Sequence, residues 1–287
     1  MPGSLQFLPP TPLEYFASLV AEDASLPLIE AAASIAQDEL PQFDTHAVLA
    51  QLDALAHKLC SRIPEDAVPV QRLRLLNRFF FQELGFSGNA NDYYAPENSY
   101  LHAVLDNRRG IPVTLALLYI ELATQIGLAA YGVSFPGHFL VKLRMPQGEV
   151  VIDPFTGQSL SREALEEMLA PYKRTSAGAL DAPLAFFLQA APARDVLARM
   201  LRNLKEIYRS AEDWKRLLPV TQRLVVLLPS AMTERRDRGL AYAALGRNEA
   251  AAIDLSAYLE QAAHAADRDA IAARLAQLVR GRSPRMH

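Results

Sequence analysis

The sequence predicts a mostly helical α+β protein with one small antiparallel sheet and a run of C-terminal helical repeats. Three observations lead there. Apolar residues recur at helical spacing over most of the 287 residues. Convincing period-two alternation is confined to "AAYGVSF", "HFLVKLR" and "EVVIDPF", with "MPQGE" as the turn between the last two. Beyond residue 193 the chain reads as helix throughout, and Tyr208 and Tyr242 recur at a 34-residue period.

The elements follow in order. "TPLEYFASLVAED" opens a helix with Thr11 as cap, Pro12 at the first helical position and Glu14 completing a capping box. A second helix fits "LPLIEAAASIAQDEL". A third follows Asp44, with Val48, Leu52, Leu55 and Leu59 at helical spacing, and Pro64 beyond it. A fourth covers "VQRLRLLNRFFFQELG", closed by Gly85. "FSGNANDYYAPENSY" reads as loop, and a short helix over 99–106 follows it. From Pro112 to Gln125 a helix is apolar on every side, which marks it as buried. After the three strands, "SREALEEMLAPY" returns to helix with Ser161 as cap.

Bulk properties narrow the function. Apolar residues make up 51% and charged residues 21% of the chain, enough for a packed core without staples. A net charge of −3 gives no electrostatic basis for nucleic-acid binding. Cys60 is the single cysteine, so no intrachain disulfide forms. No signal-peptide pattern opens the chain and no run reaches the roughly 18 apolar residues of a membrane span. The expectation is a soluble, cytoplasmic protein without membrane contact. Scattered histidines, one cysteine and no ligand spacing predict no metal, and the absence of phosphate-binding glycine loops predicts no nucleotide cofactor.

The central block carries the chemistry. "DNRRGIPVTLALLYIELATQIG" places a basic, glycine-ended loop before a buried helix. Downstream stand His138 in "FPGHFLVKL" and Asp153 in "VIDPFTG". A nucleophile at a helix N-terminus, then histidine and aspartate on neighbouring strands, is the chain order of papain-like and transglutaminase-like cores. Helix-terminal amides stabilise a thiolate, the histidine acts as base, and the acid orients it.

Residues 97–157 resemble the SirB-one family of bacterial proteins, through "ENSYLHAVLDNRRGIPVTLALLYIELATQIGL", "GVSFPGHFLVKL" and "VIDPFTG". The resemblance implies a transglutaminase-like core of the papain-like cysteine protease superfamily, followed by tetratricopeptide-like repeats. It assigns the base to His138, the orienting acid to Asp153 and the glycine before the nucleophile to Gly110. It puts Pro112 where the cysteine belongs. Proline offers no nucleophile, so His138 and Asp153 are read as vestigial, and Thr114, two residues further into the helix, is the remaining candidate.

Arg108 and Arg109, beside a helix N-terminus, suit an anion, and Gly110, Glu97 and Asn98 are the other candidate ligand contacts. The second helical repeat fits better than the first: Gly239, Tyr242, Gly246 and Ala251 fall at its small and aromatic positions. The expected layout is an N-terminal helical segment packed on the core (1–95), the transglutaminase-like core (96–175), a linker (176–192) and repeats (193–282). The functional expectation is a degenerate, non-catalytic enzyme fold that binds a protein or peptide, with partner docking through the repeats. The alternative is a hydrolase or acyl transferase using Thr114 with His138 and Asp153.

Overall fold

The computed structural model describes residues 9–40, 42–175 and 182–280, which divide into two compact units. One holds residues 26–36 and 42–200, and the other gathers residues 9–25, 37–40 and 201–280.

Helix α1 (Pro12–Leu19) starts as its sequence requires: Thr11 Oγ1 accepts the Glu14 amide at 3.3 Å, and the Glu14 carboxylate accepts the Thr11 amide at 2.8 Å. Helix α2 (Leu28–Ser34) tightens into a 3-10 turn over Ile35–Asp38 instead of continuing to residue 40. Asp44 caps α3 (Thr45–Cys60) by accepting the His46 amide at 2.9 Å. Helix α4 (Pro69–Asn77) runs into a π-helical turn, Arg78–Glu83, and Gly85 reverses the chain at φ +72°.

Strands β1 (Ser87–Gly88) and β2 (Arg109–Gly110) pair in parallel around α5 (Leu101–Asn107), with Gly88 opposite Gly110. Two residues are too few for any periodicity, so this sheet lies inside a stretch that reads as loop.

Helix α6 (Pro112–Gln125) is the centre of this unit. Residues 112–119 are all buried, and the helix packs against α3, α4 and α5 and against strands β3 (Ala129–Val133) and β4 (Leu140–Met145). The Tyr119 hydroxyl donates to Asn77 Oδ1 at 2.5 Å, and burial raises its pKa above the ordinary value. With β5 (Gly148–Asp153) and β6 (Gln158–Leu160) the sheet has the order β3-β4-β5-β6, antiparallel throughout. The short, exposed β6 lacks the alternation that reveals the other three.

One face of the sheet gives Val133, Leu140 and Val151 to a core shared with Leu165 and Leu169 of α7 (Arg162–Thr175) and Phe187 of α8 (Leu184–Phe187). Residues 176–181 of the expected linker lie outside the described residues. The rest of that stretch folds, because Phe187 finds an apolar surface to cover.

The chain passes to the other unit within α9 (Ala193–Ser210). Helices α10 (Trp214–Leu227), α11 (Met232–Ala244), α12 (Asn248–Gln261) and α13 (Arg268–Arg280) then pack each on the next. Gly239 lets α11 approach α12: a Cβ there would stand 2.8 Å from Leu255 Cδ2. Ala251 is buried at the same contact, so Gly239 and Ala251 have a packing reason, whereas Gly246 turns the chain at φ +71°. Helix α1 belongs with these helices and lies against α10. The fully buried Arg223 guanidinium stacks 4.8 Å from the Phe16 ring and grips Asp38 through two bonds of 2.6 and 3.0 Å.

Candidate functional site

Strands β4 and β5 bring His138 and Asp153 together. The turn before β4 is set by the His138 amide donating to Phe135 O at 3.0 Å and by Gly137 at φ +70°. Gly137 is required twice over, since a Cβ there would lie 1.7 Å from the Tyr172 hydroxyl. At the end of β5, Asp153 accepts three hydrogen bonds. Oδ1 faces His138 Nε2 at 2.8 Å and takes the Phe155 amide at 2.8 Å, and Oδ2 takes the Thr156 hydroxyl at 3.0 Å.

Burial of Asp153 alone would raise its carboxyl. The bond and charge of His138, the Phe155 amide and the Thr156 hydroxyl outweigh it and hold the carboxyl below its ordinary value. Asp153 is therefore an ionised acceptor at neutral pH, and the imidazole is oriented by it.

The N-terminus of α6 is built differently from that of a thiol enzyme. Pro112 is buried at the first helical position. Thr114 is fully buried, and its hydroxyl lies 2.8 Å from Asn98 O and 3.0 Å from Ile111 O, so its proton is committed to backbone carbonyls. Cys60 contacts Gln125 O at 3.8 Å, at the far end of the same helix, roughly 20 Å from Pro112.

The other candidate residues form a frame around this helix start. Gly110 is buried, and a Cβ on it would meet Thr114 Oγ1 at 2.8 Å. Asn98 is 2% exposed and its Nδ2 donates to Asp92 O and Tyr93 O at 2.7 and 3.2 Å, while Oδ1 accepts from Asn89 Nδ2 at 3.0 Å. It fixes the loop from inside. Glu97 is exposed on the rim, with its carbonyl accepting the Tyr100 amide. Arg108 ends α5 at φ 59° and lays its guanidinium 4.7 Å from the Phe86 ring, where burial pushes its pKa down against the opposing charge of Asp106. Arg109 Nη1 donates to Gly85 O and Arg108 O. Arg109 thus ties the β1–β2 junction to Gly85, and Arg108 stacks on Phe86 with its buried Nη1 unpartnered among the described residues.

The frame and the dyad meet through residues that sequence reasoning missed. The Gly88 amide donates to Phe155 O at 2.8 Å, and Gly88 pairs with Gly110, so the turn after Asp153 is tied to the approach to α6. A Cβ on Gly88 would lie 2.2 Å from the Phe155 ring. Phe155 and Thr156 were legible in principle, because "DPFTG" is turn chemistry in which an aspartate accepts the amide two residues on. Tyr172 and Gly88 carry no local signal.

Comparisons with known proteins identify the two kinds of domain. The transglutaminase-like superfamily matches residues 46–202, and the tetratricopeptide repeat matches residues 204–276. A UPF0162 protein of Xylella fastidiosa is 40% identical over 240 residues, covering 83% of this chain and 85% of its own. This chain belongs to the UPF0162 family. Members in Pseudomonas aeruginosa and Escherichia coli K12 are 32% and 29% identical, over 79% and 78% of this chain and 82% and 81% of theirs. No solved structure matches. The family pairs a transglutaminase-like domain with repeats of a kind that generally mediates protein–protein contacts. No helix among the described residues is long and apolar enough to cross a membrane.

Proposed function

We propose that this UPF0162 protein is a non-catalytic member of the transglutaminase-like superfamily. The site at His138 and Asp153 holds a peptide or protein segment, and the repeats dock a partner. One observation carries the reading: no nucleophile is presented at the start of α6. Pro112 occupies the first helical position, the Thr114 hydroxyl is buried on Asn98 O, and Cys60 lies at the opposite end of the helix. For Thr114 to attack an acyl group it would have to leave that bond and reach a base, with no side-chain contact between it and His138 to draw it there.

An amidase and esterase screen, with mass-spectrometric mapping of covalent adducts from acyl-directed electrophiles, tests this. The expected result is no turnover above a His138→Ala control and no adduct on Thr114. Turnover abolished by His138→Ala overturns the reading. For docking, Ile253 and Val279 are exposed apolar side chains of α12 and α13. Partners recovered by the full chain should be lost with Ile253→Asp or Val279→Asp, and equal recovery by both variants counts against docking on those helices.

A further inference from the structure

The dyad has a consequence that the binding reading alone does not contain. An ionised carboxylate only accepts, so the 2.8 Å contact with Asp153 Oδ1 requires the proton on His138 Nε2. The Phe155 amide and the Thr156 hydroxyl both point at the same carboxylate, which removes any reason for Asp153 to carry the proton itself. In the neutral ring the lone pair is then on Nδ1. Among the described residues no donor reaches Nδ1. The His138 side chain is 21% exposed. The resemblance puts Pro112 where the thiol of such cores belongs.

The surroundings define what can fill that gap. Asp153 lies behind the ring, so negative charge already occupies the site. Arg109 is committed to Gly85 O, and Arg108 stacks on Phe86 with its buried Nη1 unpartnered among the described residues. Aromatic surface is available nearby: the Phe155 backbone is one hydrogen bond from Asp153, its ring lies 6.1 Å from that of Tyr93, and Tyr93 and Tyr94 are 37% and 70% exposed.

We infer that Nδ1 of His138 is the ligand-accepting atom of this site, and that its ligand is a neutral donor, a peptide N–H beside an aromatic or apolar side chain, rather than an anion. This rests on the binding reading above and specifies its ligand. It replaces the anion expected from Arg108 and Arg109 with a peptide amide.

Long-range proton–nitrogen correlation spectra of the histidine rings test it, with the His138 signal assigned by His138→Gln. In its neutral form the His138 ring should show the Nε2–H tautomer with an unprotonated Nδ1. N-acetyl-tyrosinamide should move the Nδ1 signal saturably, and inorganic phosphate should not. Tyr94→Ala removes only an exposed side chain and should weaken tyrosinamide binding about 2- to 10-fold. An Nδ1–H tautomer overturns this inference and leaves the non-catalytic reading standing. The expected tautomer with no response to the amide, or with an equal response to phosphate, overturns the ligand class. Turnover abolished by His138→Ala instead sinks the reading beneath it.

Discussion

In the first unit α6 lies among α3, α4, α5, β3 and β4, with Leu115, Leu118 and Leu122 at zero exposure and no charged side chain between residues 112 and 120. In the second, α11 is joined to its neighbours by charge. Glu234, 2% exposed, accepts from Arg202 at 2.8 Å and Lys205 at 2.6 Å on α9. Arg238 holds Asp254 of α12 through two bonds of 2.7 Å, and Arg236 reaches Asp267 at 2.6 Å. Both arrangements bury helix faces. They differ in what each tolerates. An apolar contact loses stability in proportion to the volume removed, whereas a buried ion pair that loses one member leaves the other charged and unsolvated.

That difference can be broken at its strongest point first. Arg223→Ala strips the cation from Asp38 and the stacking partner from Phe16, and should cost about 3–5 kcal/mol. Replacing both members, Arg223→Met with Asp38→Leu, should recover most of that loss. Trp214, the one tryptophan, sits at the start of α10, so its fluorescence in urea reports the second unit. Equal losses for the single and double variants would show that the pair is not the source of the effect. In the first unit, Leu118→Ala should cost about 2–5 kcal/mol from transfer and cavity. Its unfolding should show in far-ultraviolet circular dichroism ahead of the Trp214 transition. Coincident movement of both signals would mean that the two units unfold as one.

The same contrast explains what the sequence disclosed. The start of α1 and both ends of α6 were readable because caps and apolar runs are local: Thr11, Pro12 and Glu14 lie within one turn, and Pro112 to Gln125 is a continuous signal. The β3–β5 sheet was readable by alternation. The pairing of Arg223 with Asp38, 185 positions apart, was not, because no spacing rule links charges on elements brought together only by folding. At the candidate site the dyad came from the order of His138 and Asp153 along the chain. The roles of Asn98, Gly110 and Arg109 as a structural frame did not, because their partners are backbone carbonyls and neighbouring helix atoms. Residue type suggested a ligand for the arginines, and spacing could not show that Arg109 bonds Gly85 O or that Arg108 stacks on Phe86.

The smallest effect belongs to the dyad. Asp153 is held below the ordinary carboxylate range, so at acid pH the unfolded chain binds its proton before the native state does. Its contribution to stability is therefore present above the unfolded value of about 4 and disappears as pH falls through the lower native value. Thr156→Val removes the donor to Oδ2 and lets the native value rise. At neutral pH the loss should be modest, about 0.5–1.5 kcal/mol, and at the low end of that range because Thr156 is exposed. The acid limb of an unfolding titration should shift to higher pH, while the Trp214 signal of the second unit stays in place. An acid limb identical to the parent's would mean that the Phe155 amide and His138 alone hold Asp153, and that the Thr156 bond contributes nothing to the orientation of the imidazole.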